Sequence, residues 1–144
     1  MIRHATLDDV PAITAMGGQL IQSEYREILR ENPAQMADVA IRLIESESGA
    51  VLVDEVNDAV VGMIGMFSTP HLLTGEIVAG ELFWWVDPLH RGRGLRLLKQ
   101  AEQWAHAKGA TRIQMVAPND RVGQLYARMG YLRMETSYQK DIVP

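Results

Sequence analysis

The sequence predicts a single-domain α/β protein with a mixed sheet flanked by helices. Three observations predict this class. The 144 residues are the length of one compact domain, and no linker or internal repeat divides them, so we expect one domain over 1–144. Strand and helix patterns alternate along the chain. The stretch 81–116 has a strand–helix–strand form, which requires parallel pairing and a right-handed crossover.

The first half of the chain is predicted to hold a strand, two helices and a hairpin. Thr6 is suited to cap the first helix, and Ile13 and Met16 begin its apolar repeat. Asn57 and Asp58 separate two apolar runs and predict a tight hairpin turn. The predicted bounds are strand 1–5, a helix from residue 6, helix 33–46, and strands 50–56 and 59–68.

The second half alternates between strands and helices. The run ELFWWV reads as the fourth strand, and Leu97, Ala101 and Trp104 share one flank of the helix that follows. Asn119 is placed to cap the last helix, which Gly130 ends. The predicted bounds are strand 81–86, helix 92–108, strand 111–116, helix 119–129 and a terminal strand 131–141.

Composition excludes several classes of function. A net charge of −4 argues against general nucleic-acid binding. No apolar run approaches the ~18 residues of a membrane helix, and the polar N-terminus is unlike a signal peptide, so we expect a cytoplasmic protein with no membrane partner. The chain has no cysteine, which excludes disulfides and a cysteine nucleophile. Its four histidines are scattered, so we expect no metal site.

The turn after the fourth strand carries the strongest functional signal. Arg91-Gly92-Arg93-Gly94 stands between a strand and a helix, where free N–H groups and the helix dipole favour an anion. Glycines let the backbone approach a phosphate closely. The turn matches neither the P-loop nor the pattern G-x-G-x-x-G, so a different phosphate compound is expected. A tight turn with solvated arginines is the alternative interpretation.

Two segments resemble the GNAT N-acetyltransferase superfamily. Arg91 and Gly94 match the first and fourth positions of its Gln/Arg-x-x-Gly-x-Gly/Ala motif, and Asn119 with the run LYARMGY is similar to its later motif. The order of elements agrees over nearly the whole chain. The resemblance implies a mostly antiparallel sheet with a V-shaped splay between the fourth and fifth strands. Arg96 departs from the motif, and we expect its side chain to turn outward.

The resemblance also implies which residues bind acetyl-coenzyme A. Backbone N–H groups of the turn should hold the pyrophosphate, and main-chain groups of the fourth strand should contact the pantetheine. The Trp84 amide is expected to polarise the thioester carbonyl. Asn119 has two readings, a cofactor contact or only a helix cap. The implied cofactor-binding residues are Trp84, Val86, Arg91, Gly92, Arg93, Gly94, Leu95, Arg96 and Asn119.

Two residues are candidates for proton transfer in the implied reaction. Tyr126 is the candidate acid that stabilises the leaving thiolate, and the alternative is a buried tyrosine with a structural hydrogen bond. Glu81 is the candidate base that deprotonates the amine. There are two alternatives. Glu81 could be only an exposed charge on a strand, or bulk water could accept the proton through a relay.

The implied function is direct transfer of an acetyl group from acetyl-coenzyme A to a primary amine, in a ternary complex. The alternative is a non-catalytic acyl-coenzyme A sensor or regulatory module. The acceptor, a small molecule or a peptide, is open, although six acidic residues between Glu24 and Glu47 weakly favour a cationic amine. The family pattern also implies a homodimer.

Overall fold

A five-stranded sheet in the order β1-β2-β3-β4-β5 organises the computed structural model, which describes residues 1–143. Neighbouring strands are antiparallel except β4 and β5, which are parallel. The predicted α/β class with a mixed sheet is therefore confirmed. The elements are β1 Ile2–His4, α1 Val10–Glu24, α2 Pro33–Glu45, β2 Gly49–Val56, β3 Ala59–Pro70, β4 Ile77–Val86, α3 Gly94–Ala107, β5 Arg112–Gln114 and α4 Asp120–Arg128.

Helices cover both faces of the sheet. Val51 and Val53 of β2 face α1 and α2, where Ile13 is fully buried. Leu52, between them, faces α3 and packs in the cluster that contains Leu97. Because successive side chains of a strand point to opposite faces of the sheet, β2 contributes to the apolar cores on both faces. This explains why the central strand β3 is apolar at successive positions.

The hairpin between β2 and β3 forms as the sequence predicts. Asn57 and Asp58 both adopt positive φ, 51° and 64°, and Val56 pairs with Ala59 across the turn. Two central residues with positive φ define the mirror-image turn that fits the twist of a hairpin. Asparagine and aspartate tolerate this conformation better than most side chains.

The predicted terminal strand is wrong. Residues 131–143 form no strand, and Leu132 and Tyr138 are each 92% exposed. Alternating apolar and polar residues favour an extended chain, but a strand also needs a neighbour that accepts its backbone hydrogen bonds. The segment has no such neighbour within residues 1–143. Tyr131 anchors the start of the segment, because its ring packs against Tyr126 at 5.4 Å, and Gln139 Nε2 donates a hydrogen bond to the Ile28 carbonyl at 3.2 Å.

Several boundaries also differ from the sequence prediction. β4 begins at Ile77, within a stretch that gave no clear signal, and β5 is only three residues long. Helix α3 begins at Gly94 rather than residue 92, because Pro88–Arg93 forms a tighter 3-10 turn ahead of it. That turn carries the arginine-glycine sequence.

Candidate functional site

The sheet opens between β4 and β5. The two strands pair only where Val78–Gly80 meets Arg112–Gln114. Past Gly80, β4 continues for six residues, and no strand in the described part of the chain pairs with it on that side. A cavity of about 300 Å³ occupies the opening. Its lining includes Leu20, Glu24, Tyr25, Glu81, Leu82, Phe83, Trp84, Trp85, Val86, Arg91, Gly92, Gly94, Leu95, Val116, Pro118, Arg121, Val122 and Leu125.

A β-bulge lies where β4 enters the cavity. Phe83 pairs with Gly65 of β3 and Glu81 pairs with Met66, so Leu82 is an extra residue between them. A bulge bends its strand and re-aims the side chains beside it. The bulge therefore contributes to the opening that β5 leaves, and it lies between Glu81 and the tryptophan pair.

The far end of β4 turns main-chain groups into the cavity. The Asp87 N–H donates to the Val61 carbonyl of β3. Because the direction of main-chain groups alternates along an antiparallel pair, those of Trp84 and Val86 point away from β3. The Val86 carbonyl agrees with this, since it accepts a hydrogen bond from Arg91 Nε at 2.7 Å. Trp84 thus presents its N–H and carbonyl on the open edge.

The N-terminus of α3 faces the same cavity. The side chains of Asn32 and Asn119 cap helices α2 and α4, whereas no side chain within residues 1–143 caps α3 or α1. The Gly94 N–H already donates to the Arg91 carbonyl, so it is not free for a ligand. The next amides, in the first turn of the helix, lack intrahelical partners. They are the donors that an anion would use.

Glycine is not required for folding at two positions of this turn. Gly94 has ordinary helical dihedrals, with φ −61° and ψ −37°, and Gly92 shows no positive φ. A Cβ added at Gly92 would meet nothing within 4 Å, and one at Gly94 would make only van der Waals contact with Trp84, at 3.4 Å. Either added Cβ would instead occupy space beside the cavity.

The arginines of the turn are used differently from one another. The guanidinium of Arg91 lies 4.6 Å from the ring centre of Trp85. Arg93 is bound to Asp54, which is fully buried, through Nη2 at 3.0 Å. Hydrogen bonding to Arg93 lowers the pKa of Asp54, although burial alone would raise it. Arg96 is exposed and is not among the residues that line the cavity, which agrees with the expectation that its side chain turns outward.

Glu81 is a half-buried carboxylate in the cavity wall. Burial raises its pKa from 4.5 to about 7, while a hydrogen bond from the Val116 N–H, at 3.1 Å, opposes the shift. No ion pair involves this side chain within residues 1–143. A carboxylate with a pKa near neutrality can take up and release a proton under physiological conditions.

Tyr126 is buried against Trp84 and is not among the residues that line the cavity. Its ring stacks on Trp84 at 6.0 Å, and its hydroxyl donates to the Val116 carbonyl at 3.0 Å. Burial and the charge of Glu81 raise its pKa above the usual value of 10, which keeps the hydroxyl protonated. Val116 thus joins Glu81 and Tyr126 through its two main-chain groups.

Besides apolar wall residues, the sequence interpretation missed three cavity residues with a charged or hydroxyl group as members of the site. Glu24 and Tyr25 come from the end of α1, and Arg121 comes from the start of α4. Asn119 joins these two ends, since its Oδ1 accepts from the Val122 N–H and its Nδ2 donates to Glu24 Oε2 at 3.1 Å. The acidic composition near Glu24 was the one available signal, and it did not single out that residue.

The described part of the chain has no group of three or more histidine, aspartate or glutamate side chains that could hold a metal ion. Within residues 1–143, no helix is both long enough and apolar enough to cross a membrane.

The fold and the opened sheet define an α/β domain in which the N-terminus of α3 lies at the splay. Residues 18–131 match the family model described as the acetyltransferase (GNAT) family. The chain belongs to the GNAT acetyltransferase family.

Solved structures share this fold across the whole chain. A transcriptional regulator from Bacillus halodurans C-125 is 20% identical, with a TM-score of 0.81 and 99% of each chain covered. A ribosomal-protein-alanine N-acetyltransferase from Brucella melitensis biovar Abortus 2308 is 18% identical, with a TM-score of 0.75 and the same coverage. An aminoglycoside 6'-N-acetyltransferase from Acinetobacter haemolyticus is 17% identical, with a TM-score of 0.76, again over 99% of each chain. Comparison with curated protein sequences found no match.

Proposed function

We propose that this protein transfers an acetyl group from acetyl-coenzyme A directly to a primary amine, with both substrates bound in the cavity between β4 and β5. The glycines at 92 and 94 carry the proposal. Glycine in a helical conformation costs roughly 1 kcal/mol relative to alanine, and neither packing nor φ requires it here. A ligand that approaches the backbone closely supplies the reason, and a diphosphate at a helix N-terminus fits it.

The residues at this end of the cavity suit the parts of coenzyme A. The first-turn amides of α3, from Leu95 and Arg96, would hold the pyrophosphate, with the cation of Arg91 beside them. The open edge of β4 would bind the pantetheine through main-chain groups of Trp84 and Val86. The Trp84 indole N–H is buried without an acceptor in residues 1–143, so a ligand acceptor there would remove a cost of about 1–3 kcal/mol.

Bound acetyl-coenzyme A supplies a thioester carbonyl for the acceptor amine to attack. The backbone N–H of Trp84 would donate a hydrogen bond to that carbonyl oxygen, where negative charge grows during attack. An ammonium group cannot attack, so Glu81 accepts its proton, which a carboxyl of pKa about 7 does near neutral pH. Tyr126 would stabilise the leaving thiolate by a hydrogen bond from its hydroxyl, which would then leave the Val116 carbonyl.

A second candidate function is an acyl-coenzyme A sensor without turnover. One observation favours it: the Tyr126 hydroxyl is already engaged by the Val116 carbonyl, as in a purely structural tyrosine. Release of free thiol from acetyl-coenzyme A in the presence of an amine panel separates the two functions. The transferase releases thiol and a Tyr126→Phe variant slows it, whereas the sensor binds coenzyme A and releases none.

Three properties stay predictions beside this proposal. They are the cytoplasmic location, the homodimer, and the role of Asn119 as a cofactor contact, which would require its side-chain amide to leave Val122 or Glu24. Light scattering of the purified protein measures its mass in solution and tests the dimer directly.

A further inference from the structure

The end of α1 lines the cavity near Glu81, on the part of β4 that lies away from the arginine-glycine turn. Glu24 and Tyr25 lie there, both half-buried, with the apolar side chain of Leu20 beside them. The C-terminal end of a helix carries partial negative charge from unpaired carbonyls. The carboxylate of Glu24 adds a full negative charge at the same place.

Glu24 is held in position by a relay from α4. Asn119 caps that helix through Oδ1 and at the same time donates Nδ2 to Glu24. The cap fixes the amide plane, and the amide in turn fixes one oxygen of the carboxylate. A solvated helix charge has no such support, so Glu24 differs from exposed neighbours such as Glu27.

The cavity contains charges of both signs that are not paired with each other. In the described residues, neither Glu24 nor Glu81 forms a salt bridge, and neither do the cavity arginines Arg91 and Arg121. Most of the remaining wall is apolar. Such a cavity complements an anionic cofactor at one end and, at the other, an aliphatic chain that carries positive charge.

We propose that the acceptor carries a second cationic group, and that Glu24, positioned by Asn119, binds this group while the reacting amine lies at Glu81. The inference rests on the proposed acetyltransferase function and names its class of acceptor, a diamine or a similar aliphatic polycation. Glu24 determines specificity, and Asn119 is a positioning residue that acts through it.

The test compares putrescine, a diamine, with butylamine, which lacks the second charge. Wild-type protein is expected to have a KM for putrescine about tenfold lower than for butylamine, and salt should narrow the difference. Glu24→Gln should raise the putrescine KM about tenfold, with a smaller effect on butylamine and little change in kcat. Glu27→Gln, at an exposed position outside the cavity, is the matched control and should change neither.

Asn119→Asp tests the relay without removing the helix cap. Aspartate caps a helix as well as asparagine does, but it places a second carboxylate against Glu24 instead of an amide donor. The melting temperature should stay near the wild-type value while the putrescine KM rises. A purely structural role for Asn119 predicts no such change in KM at constant kcat.

Calorimetric binding of putrescine separates this inference from the proposed function. Turnover of both amines with equal KM, or a putrescine KM that Glu24→Gln leaves unchanged, overturns the inference alone. Absence of turnover, together with putrescine binding that Glu24→Gln weakens, overturns the transferase proposal and leaves the cation site standing. Absence of both turnover and binding overturns both.

Discussion

The substitution Gly94→Ala should stabilise the fold and weaken coenzyme A binding at the same time. Gly94 already has helical dihedrals, and an added Cβ would meet Trp84 and Val86 at 3.4 and 3.5 Å, which are ordinary contact distances. Alanine there mainly reduces the conformational freedom of the unfolded chain. The expected gain is about 0.4–1 kcal/mol, or roughly 1–4 °C in melting temperature for a domain of this size.

The binding effect should have the opposite sign. Phosphate oxygens that accept from backbone amides lie about 2.7–3.2 Å from the nitrogens, and a methyl group on the cavity side of the turn prevents that approach. We expect coenzyme A to bind at least about tenfold more weakly, which is a loss of ~1.4 kcal/mol. Isothermal titration calorimetry and thermal unfolding measure the two effects on the same protein sample.

A matched control exists in the last helix. Gly123 lies in α4, and a Cβ there would meet only the Ala117 side chain, at 3.7 Å. Gly123→Ala should therefore stabilise the fold without changing the coenzyme A affinity. If Gly94→Ala raised the melting temperature and left the affinity at the wild-type value, the argument from glycine to phosphate would be refuted.

Three further predictions concern side chains of the site and the turn. Glu81→Gln should abolish the increase of kcat/KM with pH that a base with a pKa near 7 produces. The raised pKa of Glu81 also makes the wild-type fold less stable as pH increases from about 4.5 to 7. The variant should therefore have a higher melting temperature than the wild type at pH 8. Tyr126→Phe should lower kcat about 10- to 100-fold, measured by the release of free thiol. It should also reduce the free energy of unfolding by about 1 kcal/mol, because the hydrogen bond to Val116 is lost. Reduced stability with an unchanged kcat would show that Tyr126 has a structural role only. Asp54→Asn should reduce the free energy of unfolding by about 1–3 kcal/mol at neutral pH. Because Arg93 lowers the pKa of Asp54, the variant should also lose less stability than the wild type when the pH falls below 4. Denaturant titrations at neutral and acidic pH measure both effects, and a parallel loss of coenzyme A affinity would argue against a purely structural role for this ion pair.

Local signals in the sequence predicted most of the fold. The Asn57-Asp58 turn and the cap at Asn119 depend on residues close together in the chain, and the structure contains both. The prediction of a terminal strand was wrong because the alternation of apolar and polar residues is a property of the segment alone, whereas a strand also needs a neighbouring strand to pair with. Residues 131–143 have the pattern without the pairing.

The candidate site was predictable only on the cofactor side. The arginine-glycine turn is continuous in sequence, so its chemistry can be recognised there. The acceptor side is not, because Glu24 and Asn119 are 95 residues apart in the sequence and meet only in the folded chain, through one side-chain hydrogen bond. Arg93 shows the same limit: its partner Asp54 lies 39 residues upstream, and nothing near the turn indicates that pairing.

The measurement that tests the central claim most directly is a single-turnover reaction, with protein in excess over acetyl-coenzyme A and putrescine or butylamine as the acceptor. Free coenzyme A and acetylated amine are quantified together by mass spectrometry. Direct transfer in the cavity predicts that both appear at the same rate and in equal amounts, with no acetyl group left on the protein. Tight binding of acetyl-coenzyme A with product formation no faster than in buffer would contradict the account.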